Sequence, residues 1–106
     1  MKKIINVAKD FSKTPGGRNI TDGPHSGEEF REKFLEPLFQ DVNATMPIEV
    51  NFDGAYGYAT SFLEEAFGGL ARKHGIEKVL LRFDFISTEE PTLIDEVRSY
   101  IEKCNE

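Results

Sequence analysis

The chain has 106 residues, which is the size of one domain and leaves no room for two hydrophobic cores. Its composition is that of a globular protein, with 39% hydrophobic residues and nine phenylalanines but no tryptophan. The formal net charge is −6 and no dense run of Lys or Arg is present, which disfavours nucleic-acid binding. We therefore expect a single domain over residues 1–106.

Targeting and redox signals are weak. The basic start of the chain is followed by an apolar stretch at residues 4–8, which is too short for a signal-peptide core or a membrane span. We expect a cytoplasmic protein that does not bind membranes. Cys104 is the only cysteine, which excludes an internal disulfide and a multi-cysteine zinc site. We also expect no metal and no cofactor.

The first half of the chain predicts a strand, a long loop and a helix. Residues 4–8 are short and β-branched, and residues 18–20 could form a brief second strand that pairs back on the first. Ser26 with Glu29 makes a capping box, which predicts a helix start, and Pro37 should kink this helix or end its regular part. Helical spacing of apolar residues assigns the inner face to Phe30, Phe34, Leu35, Leu38 and Phe39, and the outer face to Arg31, Glu32, Lys33 and Glu36.

The second half predicts two more strand and helix pairs. Alternation around residues 48–53 indicates a half-exposed strand, and residues 79–86 predict the longest strand, with Leu81 on its inner face. Between them a glycine- and tyrosine-rich link at residues 54–58 leads to a helix that ends at Gly75. The apolar stripe of this helix contains Phe62, Leu63, Ala66, Phe67, Leu70 and Ala71. A last helix begins near Pro91 and carries Leu93, Val97, Ile101 and Cys104.

The alternation of strands and helices predicts an α/β fold with a largely parallel sheet. Charged residues at alternate strand positions are unlike the continuous apolar strands of a sheet covered on both faces. We therefore expect helices mainly on one face. The open face or an unpaired edge of the sheet could pair two copies of the chain into a homodimer.

Four segments resemble one bacterial family. They are DFS at residues 10–12, PGGR at 15–18, DGPHSGEEF at 22–30 and SFLEEAFGGL at 61–70. Together they resemble the STAS-like family of unknown function, which is related to sulphate-transporter and anti-sigma-factor-antagonist domains. The resemblance covers residues 4 to about 86. It implies a STAS-like mixed sheet of about four strands with helices mainly on one face.

The resemblance also implies a regulatory role. In the best-understood STAS branch, a serine at the start of the helix after a central strand is phosphorylated, and this switches binding to an ATP-dependent anti-sigma kinase. The corresponding place here is Thr60 and Ser61. The usual switch has an aspartate before its serines and a glycine after them, whereas this chain has Ala59 and Phe62. The implied partner is a protein, in particular an ATPase of the histidine-kinase type.

The residues around this position are the candidate partner-binding surface. Aromatic side chains on an exposed link can form a binding hot spot, and neighbouring carboxylates can supply its polar rim. The candidates are Tyr56, Tyr58, Phe62, Glu64 and Glu65. A purely structural interpretation of Ser61 and Glu64 is also possible, because the two residues satisfy the pattern of a helix capping box, which requires no function.

The alternative hypothesis is a small-ligand or nucleotide sensor that uses the loop 15–29. A glycine-rich backbone that enters a helix can bind an anion, with an arginine as its partner. The candidate residues are Arg18, Asp22, His25 and Ser26. The loop matches no phosphate-loop fingerprint, and a surface pair of Arg18 with Asp22 is the ordinary reading. An enzyme centred on His25 is a third hypothesis, but we expect no catalytic activity and assign no catalytic residue.

Overall fold

Three short strands form a parallel sheet in the computed structural model of the chain, which describes residues 3–40 and 47–105. The strands are β1 (Lys3–Asn6), β2 (Ile48–Asn51) and β3 (Phe83–Ile86). They lie in the order β1-β2-β3, and Ile5, Val50 and Phe85 share one row of the register. The predicted α/β class and parallel pairing are confirmed.

Five helices in residues 3–40 and 47–105 accompany the sheet. They are α1 (Val7–Asp10), α2 (residues 27–40), α3 (residues 60–74), α4 (Ile76–Arg82) and α5 (Thr92–Glu102), with a 3-10 turn at Ile20–Asp22. The second helix is continuous but contains a π-helical turn at Arg31–Leu35, and the third contains one at Glu64–Gly68. None of the helices in the described part of the chain is long and apolar enough to cross a bilayer.

The sheet differs from the expected one in strand number. The described residues contain three parallel strands, so a mixed sheet of four strands is not confirmed. Residues 18–20 do not pair with β1. Instead, the backbone of the loop 16–18 bonds to the segment 25–28: Gly16 N–H donates to the His25 carbonyl and Glu28 N–H donates to the Arg18 carbonyl, both at 3.0 Å.

The predicted long strand at residues 79–86 is wrong in its first half. Residues Ile76–Arg82 form α4, and only Phe83–Ile86 extend as β3. Apolar residues at positions 76, 79 and 80 are spaced as i, i+3 and i+4, which suits a helix facing the core, and Val79 is fully buried. Leu81 points away from the core and is 85% exposed.

Strand order and burial indicate that the described helices of the crossover connections pack on one face of the sheet. The strands lie in the sheet in the same order as in the chain, so both crossover connections run in the same direction across it. Crossovers of the same hand then lie on the same face of the sheet. Burial agrees with this arrangement. Ile5 and Val50 face the core, whereas Ile4 is 58% exposed on the opposite face and Asp84 is also exposed there.

The second helix starts as predicted but continues through its proline. The Ser26 hydroxyl accepts the Glu29 N–H at 3.1 Å, although the Glu29 carboxylate bonds to the His25 N–H and not to that of Ser26. In the π-helical turn before Pro37, the Glu36 N–H reaches back to the Arg31 carbonyl. This wider turn precedes the position where proline has no N–H to donate.

Helix α3 supplies the centre of the core. Every residue of its predicted apolar stripe is at most 2% exposed, and the helix ends at Gly75, whose φ of +104° favours glycine. The α5 residues Leu93, Val97 and Ile101 are also buried, as is Cys104 just beyond the helix. These predictions are confirmed. Apolar residues at helical spacing form one stripe along a helix, and a helix buries that stripe by turning it toward the core.

Helices α2 and α3 approach each other closely at their first turns. A Cβ atom on Gly27 would lie 2.4 Å from the Phe62 carbonyl oxygen and 3.1 Å from the Glu65 Cβ. Only glycine allows the backbones to come this close. The contact places the start of α3, and the link before it, against the loop that enters α2.

We expect a Gly27→Ala substitution to lower the free energy of unfolding by about 1–3 kcal/mol. The new methyl group meets a backbone oxygen that no rotamer change can move, and this outweighs the gain of at most about 1 kcal/mol in helix propensity. Urea unfolding followed by circular dichroism measures the difference. Gly16→Ala is the matched control, since no atom lies within 4 Å of its Cβ position; equal stability of the two variants would contradict the close packing.

Candidate functional site

The link between β2 and α3 is held at its first end by β3 and the loop that follows it. Asp53 Oδ1 accepts hydrogen bonds from the N–H groups of Glu89 at 3.0 Å and Thr88 at 2.9 Å. These bonds, together with the Thr88 hydroxyl, hold the pKa of Asp53 below its ordinary value. The Gly54 N–H donates to the Glu89 carboxylate at 2.8 Å. The end of β2 is therefore fixed relative to β3.

The middle of the link is fixed by two further bonds. The Tyr56 N–H donates to the Lys13 carbonyl at 2.8 Å, and the Tyr58 hydroxyl donates to the Phe52 carbonyl at 2.7 Å. The Tyr58 ring packs edge-on against Phe52, and its burial, with nearby Asp53, raises the pKa of its hydroxyl. The Tyr56 side chain makes no such contact and is 83% exposed.

The start of α3 is not capped as the sequence suggested. The helix begins at Thr60 with Ala59 as its N-cap residue, which has no side-chain acceptor, so the predicted capping box of Ser61 with Glu64 is wrong. Thr60 is exposed and Ser61 is partly buried. The first turn of α3 therefore presents backbone N–H groups without a side-chain cap, next to two hydroxyl groups.

The remaining partner-binding candidates face other directions. Phe62 is fully buried in the core. Glu64 and Glu65 are partly buried and bind arginines of the same chain. Among the five candidates for the partner-binding surface, the structure places Tyr56 in solvent and leaves Tyr58 half-buried.

Glu64 and Glu65 belong to a network of ion pairs that joins three parts of the chain. Arg18 from the loop and Arg72 from α3 both pair with Glu64, and Arg31 from α2 pairs with Glu65 at 2.8 Å. Hydrogen bonds from Arg72 and then Arg18 hold the pKa of Glu64 below its ordinary value, against the opposing effect of burial. The alternative Arg18–Asp22 pair is not present: Arg18 pairs with Glu64, and Asp22 accepts the Asn19 N–H.

The network continues through Glu36, which the helical pattern had assigned to solvent. Arg31 and Glu36 are 8% and 6% exposed, and they pair at 3.2 Å. Lys73 and His74 also bind the Glu36 carboxylate, at 3.2 and 2.6 Å. Burial by itself would raise the pKa of Glu36, but the hydrogen bonds from His74 and Lys73 outweigh it and the pKa is lowered. The assignment of Arg31 and Glu36 to the outer face is therefore wrong.

The loop 15–29 offers little to an anion. The N–H groups at the start of α2 already have acceptors within the chain: Gly27 donates to the Gly17 carbonyl, Glu28 to that of Arg18, and Glu29 to the Ser26 hydroxyl. His25 has a φ of +65° and its ring packs edge-on against Phe11 at 5.5 Å. The described residues contain no cluster of three or more His, Cys, Asp or Glu side chains placed to hold a metal.

Sequence reasoning missed the arginines at the centre of the network. The helical pattern assigned Arg31 to the outer face of its helix, and no pattern in the sequence singled out Arg72. One signal was present in the sequence: Gly68 and Gly69 stand inside a helix, where glycine is unfavourable. In the structure a Cβ atom on Gly69 would lie 3.0 Å from the Arg31 Nε atom, so glycine makes room for the arginine.

We expect Glu64→Gln to be less stable than the wild type at neutral pH and to approach it as the pH falls. The pKa of Glu64 is below 4.5 in the folded chain, so its ion pairs stabilise the fold above that pH and are lost as the pH falls through the lowered value. Urea unfolding at several pH values between about 3 and 7 tests this. Glu77→Gln, on the exposed side of α4, is the control; a pH-independent difference between Glu64→Gln and the wild type would contradict the prediction.

Comparison with known proteins identifies one family. The family model described as a STAS-like domain of unknown function (DUF4325) matches residues 26–93. This range includes α2, α3 and the whole link between β2 and α3. No curated protein and no solved structure matches the chain significantly.

Proposed function

Because the chain belongs to the family of STAS-like domains of unknown function, we propose that it is a regulatory protein-interaction domain. The proposed contact region, called here the Tyr56 surface, comprises residues 54–61. The observation that carries the proposal is a tyrosine that is 83% exposed on a link whose backbone is bonded on both sides.

A fixed exposed aromatic ring is well suited to bind a protein. Tyr and Trp are enriched among the residues that dominate binding energy, since a large ring is buried at a low cost in side-chain entropy. The hydrogen bonds from Gly54 to Glu89 and from Tyr56 to Lys13 order the backbone before any partner arrives. Binding then loses less conformational entropy than a flexible loop would.

The same surface provides a place for a regulatory phosphate. We propose Thr60, which is exposed, and Ser61, which is partly buried, as the acceptors. A phosphate there would meet the uncapped N–H groups of α3, where an anion is favourable, and would lie one helical turn from Glu64. The added charge would change the Tyr56 surface without melting the helix. The partner that this mechanism calls for is a protein kinase, and we propose an ATPase of the histidine-kinase type.

We expect Tyr56→Ala to weaken binding to the partner by at least about 2 kcal/mol, the usual cost at a hot spot, and to leave folding unchanged. The partner is captured from the native host with the tagged wild-type chain and identified by mass spectrometry, and its affinity is then measured by calorimetry. Leu81→Ala is the matched control, since it removes an equally exposed large side chain on α4. Equal binding by wild type and Tyr56→Ala would show that the partner uses another surface.

We expect Thr60→Asp and Ser61→Asp to weaken that binding much more than Thr60→Ala and Ser61→Ala. The Asp variants introduce a negative charge within the Tyr56 surface, whereas the Ala variants remove only a hydroxyl group. Affinity measurements on the four variants, with mass spectrometry of the chain from the native host, test charge and modification separately. If Asp and Ala variants bind alike and no phosphate is found on either residue, the switch is refuted while the Tyr56 surface is not.

A further inference from the structure

We propose that a groove between α2 and α3, away from the Tyr56 surface, binds a small oxyanion such as phosphate or a dicarboxylate. The groove has a volume of about 290 Å³. It is lined by Arg31, Glu32, Glu65, Gly69, Arg72 and Lys73. This volume is near the lower limit of ligand pockets, which suits a small anion better than a nucleotide.

The charge of the groove differs from that of the whole chain. Three cations and two carboxylates line it, and Glu36 and Glu64 pair with the same cations, so the groove is close to neutral in a protein whose formal net charge is −6. The Arg31 side chain is only 10% exposed, so its charge acts in a partly desolvated setting. Attraction between charges is stronger there than at the open surface.

The cations of the groove have more N–H donors than their hydrogen bonds to described residues use. Arg31 uses Nε, Nη1 and Nη2 for one bond each, and a guanidinium group carries five N–H donors. The bonds of Arg72 go from Nη1 and Nη2 to Glu64 and the Cys104 carbonyl, and its Nε donates to no described residue. Within the same part of the chain, Lys73 pairs with Glu36 alone. An oxyanion can accept several such charged hydrogen bonds at once.

The backbone around the groove is unusual in the same place. Arg31 and Glu32 stand in the π-helical turn of α2, and Glu65 stands in that of α3, next to Gly69. The two turns are in contact. Such turns are rare, at well under 1% of residues, and frequently occur at functional sites. Gly69 also leaves space at the bottom of the groove, where a Cβ atom would lie 3.4 Å from a Glu65 carboxylate oxygen.

The test is a titration of the isotope-labelled chain with sodium phosphate, followed by amide NMR shifts at constant ionic strength. We expect saturable shifts at Glu65, Gly69 and Arg72. Lys73→Gln and Arg72→Gln should each weaken binding roughly tenfold, since each removes a charged hydrogen-bond donor. A parallel titration with succinate distinguishes a phosphate site from a carboxylate site.

Two controls keep the test decisive. Lys9→Gln removes an exposed cation from α1, outside the groove, and should bind phosphate like the wild type. Gly69→Ala retains every charge but adds a methyl group at the bottom of the groove, and this variant should also lose phosphate binding. The proposal is overturned if neither anion gives saturable shifts, or if the groove variants bind as the wild type does. Neither result bears on the Tyr56 surface, because no groove residue belongs to it.

Discussion

The contact between α2 and α3 is the constraint on which most of the structure depends. Gly27 lets the first turns of the two helices meet backbone to backbone, and Gly69 lets Arg31 lie across α3 further along. Helix α3 can approach α2 this closely while its apolar stripe, fully buried, packs toward the sheet and α5. One helix therefore serves both the apolar core and the ionic network.

The ionic network is a consequence of that contact. Once the helices are this close, charged residues on their facing sides leave water and must be paired. Arg31 with Glu65 and Glu36, and Arg72 with Glu64, satisfy this requirement. No buried side-chain nitrogen or oxygen atom of the described residues lacks a hydrogen-bond partner. Such pairs add modestly to stability.

The contact also positions the link in front of α3. The start of α3 is held against α2, and the end of β2 is held by Asp53 to the residues after β3, so the link between them has little freedom. Tyr56 is then exposed on a backbone with defined geometry. The groove and the Tyr56 surface share no residue, so the roles proposed for them can be tested separately by mutation.

The sequence by itself determined the parts of the fold that depend on near neighbours. Helical spacing identified the buried stripe of α3, Ser26 identified the start of α2, and charged alternation on β2 indicated a sheet with one open face. Only the tertiary structure decided that Arg31 and Glu36 are buried, that Arg18 pairs with Glu64, 46 residues away, and that residues 76–82 are helical. The physical reason is range: periodicity and capping act within a few residues, whereas the burial of a charge depends on which distant helix supplies its partner.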